Sequence, residues 1–325
     1  MDERLAAELR AHEGSDAEFV DDAFGLVLRR PPEPDARNRA LAKLAEGTLS
    51  RASLLHELAS GDEFERLRER DDAVSLGLGA RARAERLRWL QAPPGTDERV
   101  IELPWVLSRL LASGRVLEVG YAYAETPYLG ALLRAGVDLL GADLASLEVE
   151  GMDTVLADVR ELPFSDDSFD QVLLVSTLEH VGADNSVYGL AAEERASGDP
   201  RLSALRSIRR VLRGSGSLLC TVPLGEPGDY GWFRQEDENG WMRLFARAGY
   251  FVEERESYEL TPDGWRATPD FRPEGVRYGG RGPAASAVLC ADLRPGRFRR
   301  LATPRGLHVV ARRRAGRTYR RLKRA

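Results

Sequence analysis

From Val116 onward, short apolar blocks recur along the chain: VLEV, VDLLGA, TVLA, QVLLV, SLLCTV, FVEERESYEL and SAVLCADL. Between them lie stretches whose apolar residues fall three and four apart, as in PYLGALLRAG and in Leu205, Ile208 and Val211. Blocks of strand length alternating with helical periods predict an α/β fold, a Rossmann-like sheet of seven strands covered by helices. Before residue 70 only the helical period is present. Phe19, Val20, Ala23, Phe24, Val27 and Leu28 follow it until RRPPEP, and Asp35 opens a second helix closed by Gly47. Ser50 caps a third with Leu54, Leu55 and Leu58, and Ser60 or Asp62 starts a fourth with Phe64 and Leu67. The expected organisation is a small all-α bundle over 1–70, a linking helix (80–91) and linker within 71–97, an α/β domain over 98–293 and a basic tail over 294–325.

The stretch RVLEVGYAYAETPY, residues 115–128, reads as strand, tight turn and helix, with Thr126 and Pro127 suited to a helix start. Such a unit presents backbone N–H groups and the positive end of a helix dipole to a ligand lying across the strand's carboxyl end. Gly120 has no Cβ, so a ligand can approach its backbone closely, whereas Ala122 and Ala124 stand where a dinucleotide fingerprint has glycines. Asp143 ends the second strand, 23 residues past Gly120, placed to accept both hydroxyls of a ribose. Asp158 ends the third, within reach of an adenine amine, and the fourth, QVLLVST, runs into Leu178, Glu179 and His180.

With the run ADVRELPFSDDSFDQVLLVSTLEHV, these residues resemble class I S-adenosylmethionine-dependent methyltransferases of the type-11 pattern, over about Val100 to Leu293. The resemblance implies S-adenosyl-L-methionine as cofactor and an antiparallel last strand. It also implies a cofactor pocket built from Glu118, Gly120, Tyr121, Ala122, Asp143, Leu144, Asp158, Val159 and Ser176. Of the three glycines usual after the first strand only Gly120 is kept. Alanine where φ must be positive costs about 1–2 kcal/mol, so the turn is expected to differ or the cofactor to bind less tightly.

Composition narrows the alternatives. The chain's 325 residues, 43% hydrophobic and 30% charged, suit one main domain with a smaller companion. With Lys43 and Lys323 as its two lysines, the α/β domain can build neither a P-loop nor the Tyr-x-x-x-Lys pair of a short-chain dehydrogenase. Two cysteines, Cys220 and Cys290, each in an apolar run, and four histidines suit no zinc or iron–sulfur site, and no metal is expected. No apolar run is long enough to span a bilayer, and the acidic start MDERLAAELR has no signal region, so the expected location is cytoplasmic.

The net charge of −5 is uneven: residues 293–325 hold thirteen Arg or Lys and no acid, leaving −18 on the rest (34 basic, 52 acidic). Ala311, Ala315, Tyr319 and Leu322 give the tail a weak amphipathic stripe. It suits an anionic membrane face at about 1 kcal/mol per basic residue, though a solvated arm is the plainer reading. Nucleic acid is disfavoured, since neither aromatic interleaving nor a nucleic-acid fold accompanies the charge.

Methyl transfer from a sulfonium disperses positive charge, so most of the catalysis lies in holding two reactants at attack distance. A hydroxyl acceptor also needs a base. His180, the one histidine of the α/β domain, is the first candidate, with Glu179 and Asp229 beside it; a structural role is the alternative for each. Tyr230, Trp232 and Arg234, in the loop after the fifth strand, suit a sugar held by stacking and bidentate hydrogen bonds, or else simply pack that loop. Substrate is expected among three insertions: VGADNSVYGLAAEERASGDP, LGEPGDYGWFRQEDENG and TPDGWRATPDFRPEGVRYGGRGPA.

The N-terminal order FVDDAFGLVLRRPPEP, then LAEGTLSRASLLHELASGDEF, resembles a helical domain of unknown function that recurs beside bacterial glycosyltransferases and methyltransferases. Leu28, Arg30, Pro32 and Pro34 match its turn, with Arg29 in place of a glycine. The expected function is O-methylation of a cell-envelope glycan or its precursor. Two alternatives stand beside it: a degenerate methyltransferase fold serving as an interaction module, and methylation of a small lipid or quinone.

Overall fold

Ser15 opens the helix Asp16–Leu28 with a reciprocal cap: its Oγ accepts from the Glu18 backbone, while its own N–H donates to the Glu18 carboxylate at 2.8 Å. The computed structural model describes residues 9, 12–190, 198–282 and 284–296. Of the basic tail expected over 294–325, residues 297–325 lie outside the described residues, as do residues 191–197 of the first insertion, while Arg294 and Pro295 belong to the last strand. Two units are present, one ending at Leu76 and the other starting at Gly77.

The first unit holds α1 (Asp16–Leu28), α2 (Pro34–Ala45), α3 (Arg51–Ala59) and the start of α4 (Asp62–Ala82). Phe19, Phe24, Val27, Leu28, Leu54 and Leu55 form its core. Arg29, the residue in the glycine position, ends α1 in the left-handed region at φ 57, and its guanidinium donates to Asp71 at 2.9 Å. A strained cap is thus held by an ion pair where glycine would need none.

The second unit is organised by one sheet. Its strands are β1 (Gln91–Ala92), β2 (Arg115–Val119), β3 (Asp138–Asp143), β4 (Asp153–Leu156), β5 (Phe169–Val175), β6 (Leu212–Pro223), β9 (Tyr250–Thr261), β10 (Gly264–Ala267) and β11 (Ala287–Pro295). Strands β7 (Gly228–Asp229) and β8 (Arg234–Gln235) form a separate hairpin. Strands β4, β3, β2, β5 and β6 run parallel, and β11 lies antiparallel between β6 and β9. Helices α5 (Arg99–Leu107), α6 (Thr126–Leu133), α7 (Pro200–Val211) and α8 (Glu238–Ala248) accompany it. Leu205 and Ile208 of α7 and Trp241 and Phe245 of α8 join Leu117, Val172, Leu174 and Leu218 of the sheet in a single core.

Two expectations are corrected. Among the described residues the sheet has nine strands, not seven, because β10 and β1 continue it beyond β9. The linker is also not a helix over 80–91: α4 stops at Ala82, Ala84 turns the chain at φ 54, and Gln91 and Ala92 pair with Arg266 and Trp265. Gly264 at φ 109 makes that pairing possible, since a Cβ there would lie 2.1 Å from the Ala92 carbonyl. Trp265, buried, donates Nε1–H to the Thr96 carbonyl at 3.1 Å. No described helix is long and apolar enough to cross a membrane.

Candidate active site

β2 and β5 are parallel neighbours, so their carboxyl ends bring Glu118–Gly120 beside Val175–Thr177. Gly120 has φ 91, and a Cβ on it would sit 2.4 Å from Thr177 Oγ1. Neither alanine of the turn shares that backbone: Ala124 has φ −73, and Ala122 is not among the positive-φ residues. The turn therefore does differ, tightening into a short helical turn over Tyr121–Tyr123, and the expected alanine strain does not arise.

Asp143 closes the turn from the neighbouring strand. Its Oδ2 accepts from the Ala122 N–H at 3.0 Å and its Oδ1 from the Ala145 N–H at 2.9 Å. A carboxylate has about four acceptor sites, so capacity remains for ribose hydroxyls. Asp158 caps the short turn Val159–Glu161 and is gripped by Arg160, whose Nε donates to Oδ2 at 2.8 Å. An adenine amine would share that carboxylate.

One cavity joins these groups, with about 1110 Å³ of space including its mouth. Glu118, Gly120, Asp143, Leu144, Asp158, Val159, Ser176 and His180 all line it. Tyr121 and Ala122 do not. The Tyr121 ring is buried against Gly141, with its hydroxyl on the Leu147 carbonyl at 2.8 Å, and Ala122 acts only through its N–H. Residue type alone missed Arg99, Tyr123, Tyr128, Asn185 and Tyr188, which also line the cavity. Arg99 opens α5, and Asn185 and Tyr188 belong to the first insertion, the one signal that pointed toward them.

Several acids here are buried. Glu118 accepts from the Tyr128 hydroxyl at 3.0 Å, and burial, with Asp143 nearby, pushes its carboxyl up to about 8. Burial also raises Glu98 and carries Glu179 to about 8, but neither lines the cavity, so the candidate base Glu179 sits behind its wall. Glu102, wholly buried, pairs with Arg99 and accepts from Ser176 Oγ at 2.8 Å. It thereby holds Ser176 at a strained φ of 42 at the cavity wall. Glutamates raised in the folded state favour folding while they stay protonated. Stability should therefore fall as pH rises from the ordinary carboxyl range near 4.5 toward 8. Thermal denaturation across that window, with Glu118→Gln and Glu179→Gln flattening the slope, checks this; a rise in stability would contradict it.

His180 Nδ1 lies 2.9 Å from the Trp232 carbonyl, and the Trp232 ring lies 5.2 Å from the imidazole. The other candidates in that loop are placed differently. Asp229 is half exposed, accepts from Gly231 N–H at 2.9 Å and pairs with Arg234 at 3.4 Å across the β7–β8 hairpin, so neither lines the cavity. Tyr230 stacks on buried Phe233 at 4.6 Å and accepts from the Tyr278 N–H. For Tyr230 and Arg234 the loop-packing role is the one seen, and Asp229 is too far into the hairpin to serve as a base.

Residues 126–220 match a family described as a methyltransferase domain. No curated protein matches the chain. Among solved structures, a SAM-dependent methyltransferase from Methanosarcina mazei is 13% identical, covering 59% of this chain and 97% of that one, with a TM-score of 0.40. The 1,6-didemethyltoxoflavin-N1-methyltransferase of Burkholderia thailandensis, solved with 1,6-didemethyltoxoflavin and S-adenosylhomocysteine, is 15% identical, covering 88% and 92%, at 0.41. The cyclase SpnF is 16% identical, covering 69% and 93%, at 0.42.

Proposed function

We propose that this chain, an S-adenosylmethionine-dependent methyltransferase, delivers the methyl group to an acceptor hydroxyl with His180 as the base. The contact between His180 Nδ1 and the Trp232 carbonyl carries the reading. A carbonyl can only accept, so Nδ1 holds the ring proton and Nε2 keeps its lone pair. Burial lowers the imidazole's affinity for a second proton, which leaves that lone pair free at neutral pH.

The cofactor fits the residues present. Gly120, whose backbone packs too closely on Thr177 to carry a side chain, stands on the cavity wall together with Asp143, Asp158 and His180. When bound, S-adenosylmethionine supplies an electrophilic methyl on a sulfonium. Asp143 orients a ribose while fixing the turn, Tyr128 holds the Glu118 carboxyl in place, and His180 Nε2 takes the acceptor's proton. A cell-envelope glycan or its nucleotide- or lipid-linked precursor is the acceptor class supported by the N-terminal resemblance, and the basic tail suits work at the inner face of an anionic membrane.

Titration calorimetry with S-adenosylhomocysteine tests the reading. Wild type should bind at about micromolar Kd, with Asp143→Ala weaker by about tenfold or more. No binding by the wild type would leave the fold as an interaction module.

A further inference from the structure

We infer that one face of the second unit docks on an anionic lipid surface, through the rings of Trp89 and Phe251 and the guanidiniums of Arg86, Arg88 and Arg294. The inference concerns a folded face rather than the tail, and it is independent of what the cavity binds.

A β-bulge builds this face. β11 pairs with β9 as Asp292 to Glu254, then Leu293 to Val252 and Arg294 to Phe251, so Glu253 is the extra residue. Directly opposed residues share a side of the sheet, and one extra residue shifts the alternation of its strand. Phe251 thereby joins Arg294, Asp292 and Glu254 on one side, while Leu293 and Val252 meet the core on the other. Its ring is left outside the core, 47% exposed.

The chain leading into β1 crosses the same side. Arg88 Nε donates to Glu254 Oε1 at 2.8 Å, Arg86 Nη1 donates to Glu254 Oε2 at 3.0 Å, and Arg294 donates to Asp292 at 3.0 Å. Three guanidiniums thus stand outward over two buried carboxylates, against the exposed bulge residue Glu253. Trp89 is turned out of the fold at a cost: it is 58% exposed, and its φ of 55 is a left-handed backbone that strains any L side chain. Its neighbours impose this, since Arg88 is tied to Glu254 and Leu90 is buried with its N–H on the Tyr258 hydroxyl. An indole presented under strain among arginines, with a second bare ring on the same side, has the composition of a membrane–water interface.

Charge selects the lipid. The first 292 residues carry −18, which an anionic bilayer repels, so contact falls where cations gather. β11 ends at Pro295, directly past Arg294, and the 29 residues after Gly296 hold twelve Arg or Lys and no acid. That run joins the fold at the rim of this face, and basic residues beside a bilayer are drawn to its anionic headgroups. A nucleic acid would meet the same cations, but Arg86 and Arg88 lie between the two rings, which are not set to stack successive bases.

The test uses the full chain and vesicles of phosphatidylcholine with or without phosphatidylglycerol, at low and high salt. Sedimentation reads binding, and brominated acyl chains read the tryptophan emission. Trp105, Trp241 and Trp265 are buried and Trp232 is half-buried, so contact quenching reports Trp89. Phosphatidylglycerol vesicles should bind about tenfold or more tightly than neutral ones, quench the emission and release the protein in high salt. Trp89→Gly and Phe251→Ser should each weaken binding by about tenfold or more. Trp89→Gly relieves the left-handed backbone and should melt no lower than wild type, which separates lost binding from lost folding. Binding that survives both substitutions, or that leaves the emission unquenched, assigns the attraction to residues 297–325 alone and overturns the inference. Failure to bind anionic vesicles, or preference for a single-stranded oligonucleotide over them, overturns it too. The methyltransferase reading stands or falls separately, on S-adenosylhomocysteine affinity.

Discussion

Gly120→Ala is expected to weaken S-adenosylhomocysteine binding by about a hundredfold or more, roughly 2.7 kcal/mol, while the sheet stays folded. The backbone there sits at φ 91, so any L side chain adds about 1–2 kcal/mol of left-handed strain. The new methyl would also lie 2.4 Å from Thr177 Oγ1 and 2.9 Å from its Cγ2. Either the turn opens or Thr177 leaves its bond to the Val175 carbonyl, and both movements distort the cavity wall. Adding Thr177→Ala should restore part of the affinity, since it removes the two close atoms but not the strain. Ala122→Gly and Ala124→Gly should change affinity little, because neither backbone is in the left-handed region. Calorimetry on the four variants checks the set, and wild-type affinity in Gly120→Ala would refute this account of the turn.

His180→Ala is expected to lower kcat by about 10²- to 10⁴-fold, the usual contribution of a placed base, with homocysteine affinity nearly unchanged. The pH profile carries a second readout. Burial disfavours the imidazolium, so the folded pKa lies below the ordinary histidine value of 6.5, and the wild-type rate should hold through that pH and decline only on further acidification. The same shift makes the folded state bind fewer protons than the unfolded one, so this residue's share of stability is lost as pH falls below 6.5. His180→Ala should lose the acidic limb of the rate profile. A variant that keeps both kcat and that limb would assign the residue a structural role.

What the sequence disclosed follows from how local each feature is. Gly120 and Asp143 were legible because an apolar strand forces the register of its own tip, and the sheet then delivers both tips to one cavity. The sign of a φ angle is not written in residue type, which is why Ala122 and Ala124 looked costly and are not. Asp229 looked catalytic from its loop, but Gly231 at φ 86 folds that loop back so that Asp229 meets Arg234. Asn185 and Tyr188 became part of the wall through contacts absent from any pattern: Tyr123 donates its hydroxyl to the Tyr188 carbonyl, and Asn185 reaches back to His180. The two additional strands escaped notice because β1 meets β10 across more than 170 residues of intervening chain, and two paired residues leave no periodicity to read.

That late pairing bears on how the catalytic half should be excised for study. A fragment begun at residue 98 loses Gln91 and Ala92 and bares β10 as a rim of unpaired amides and carbonyls, an invitation to self-association. It also strips Arg86 and Arg88 from Glu254, whose carboxylate is then left with buried Arg109. Such a truncation should aggregate on concentration, whereas one begun at Gly77 keeps its border closed and its ions matched.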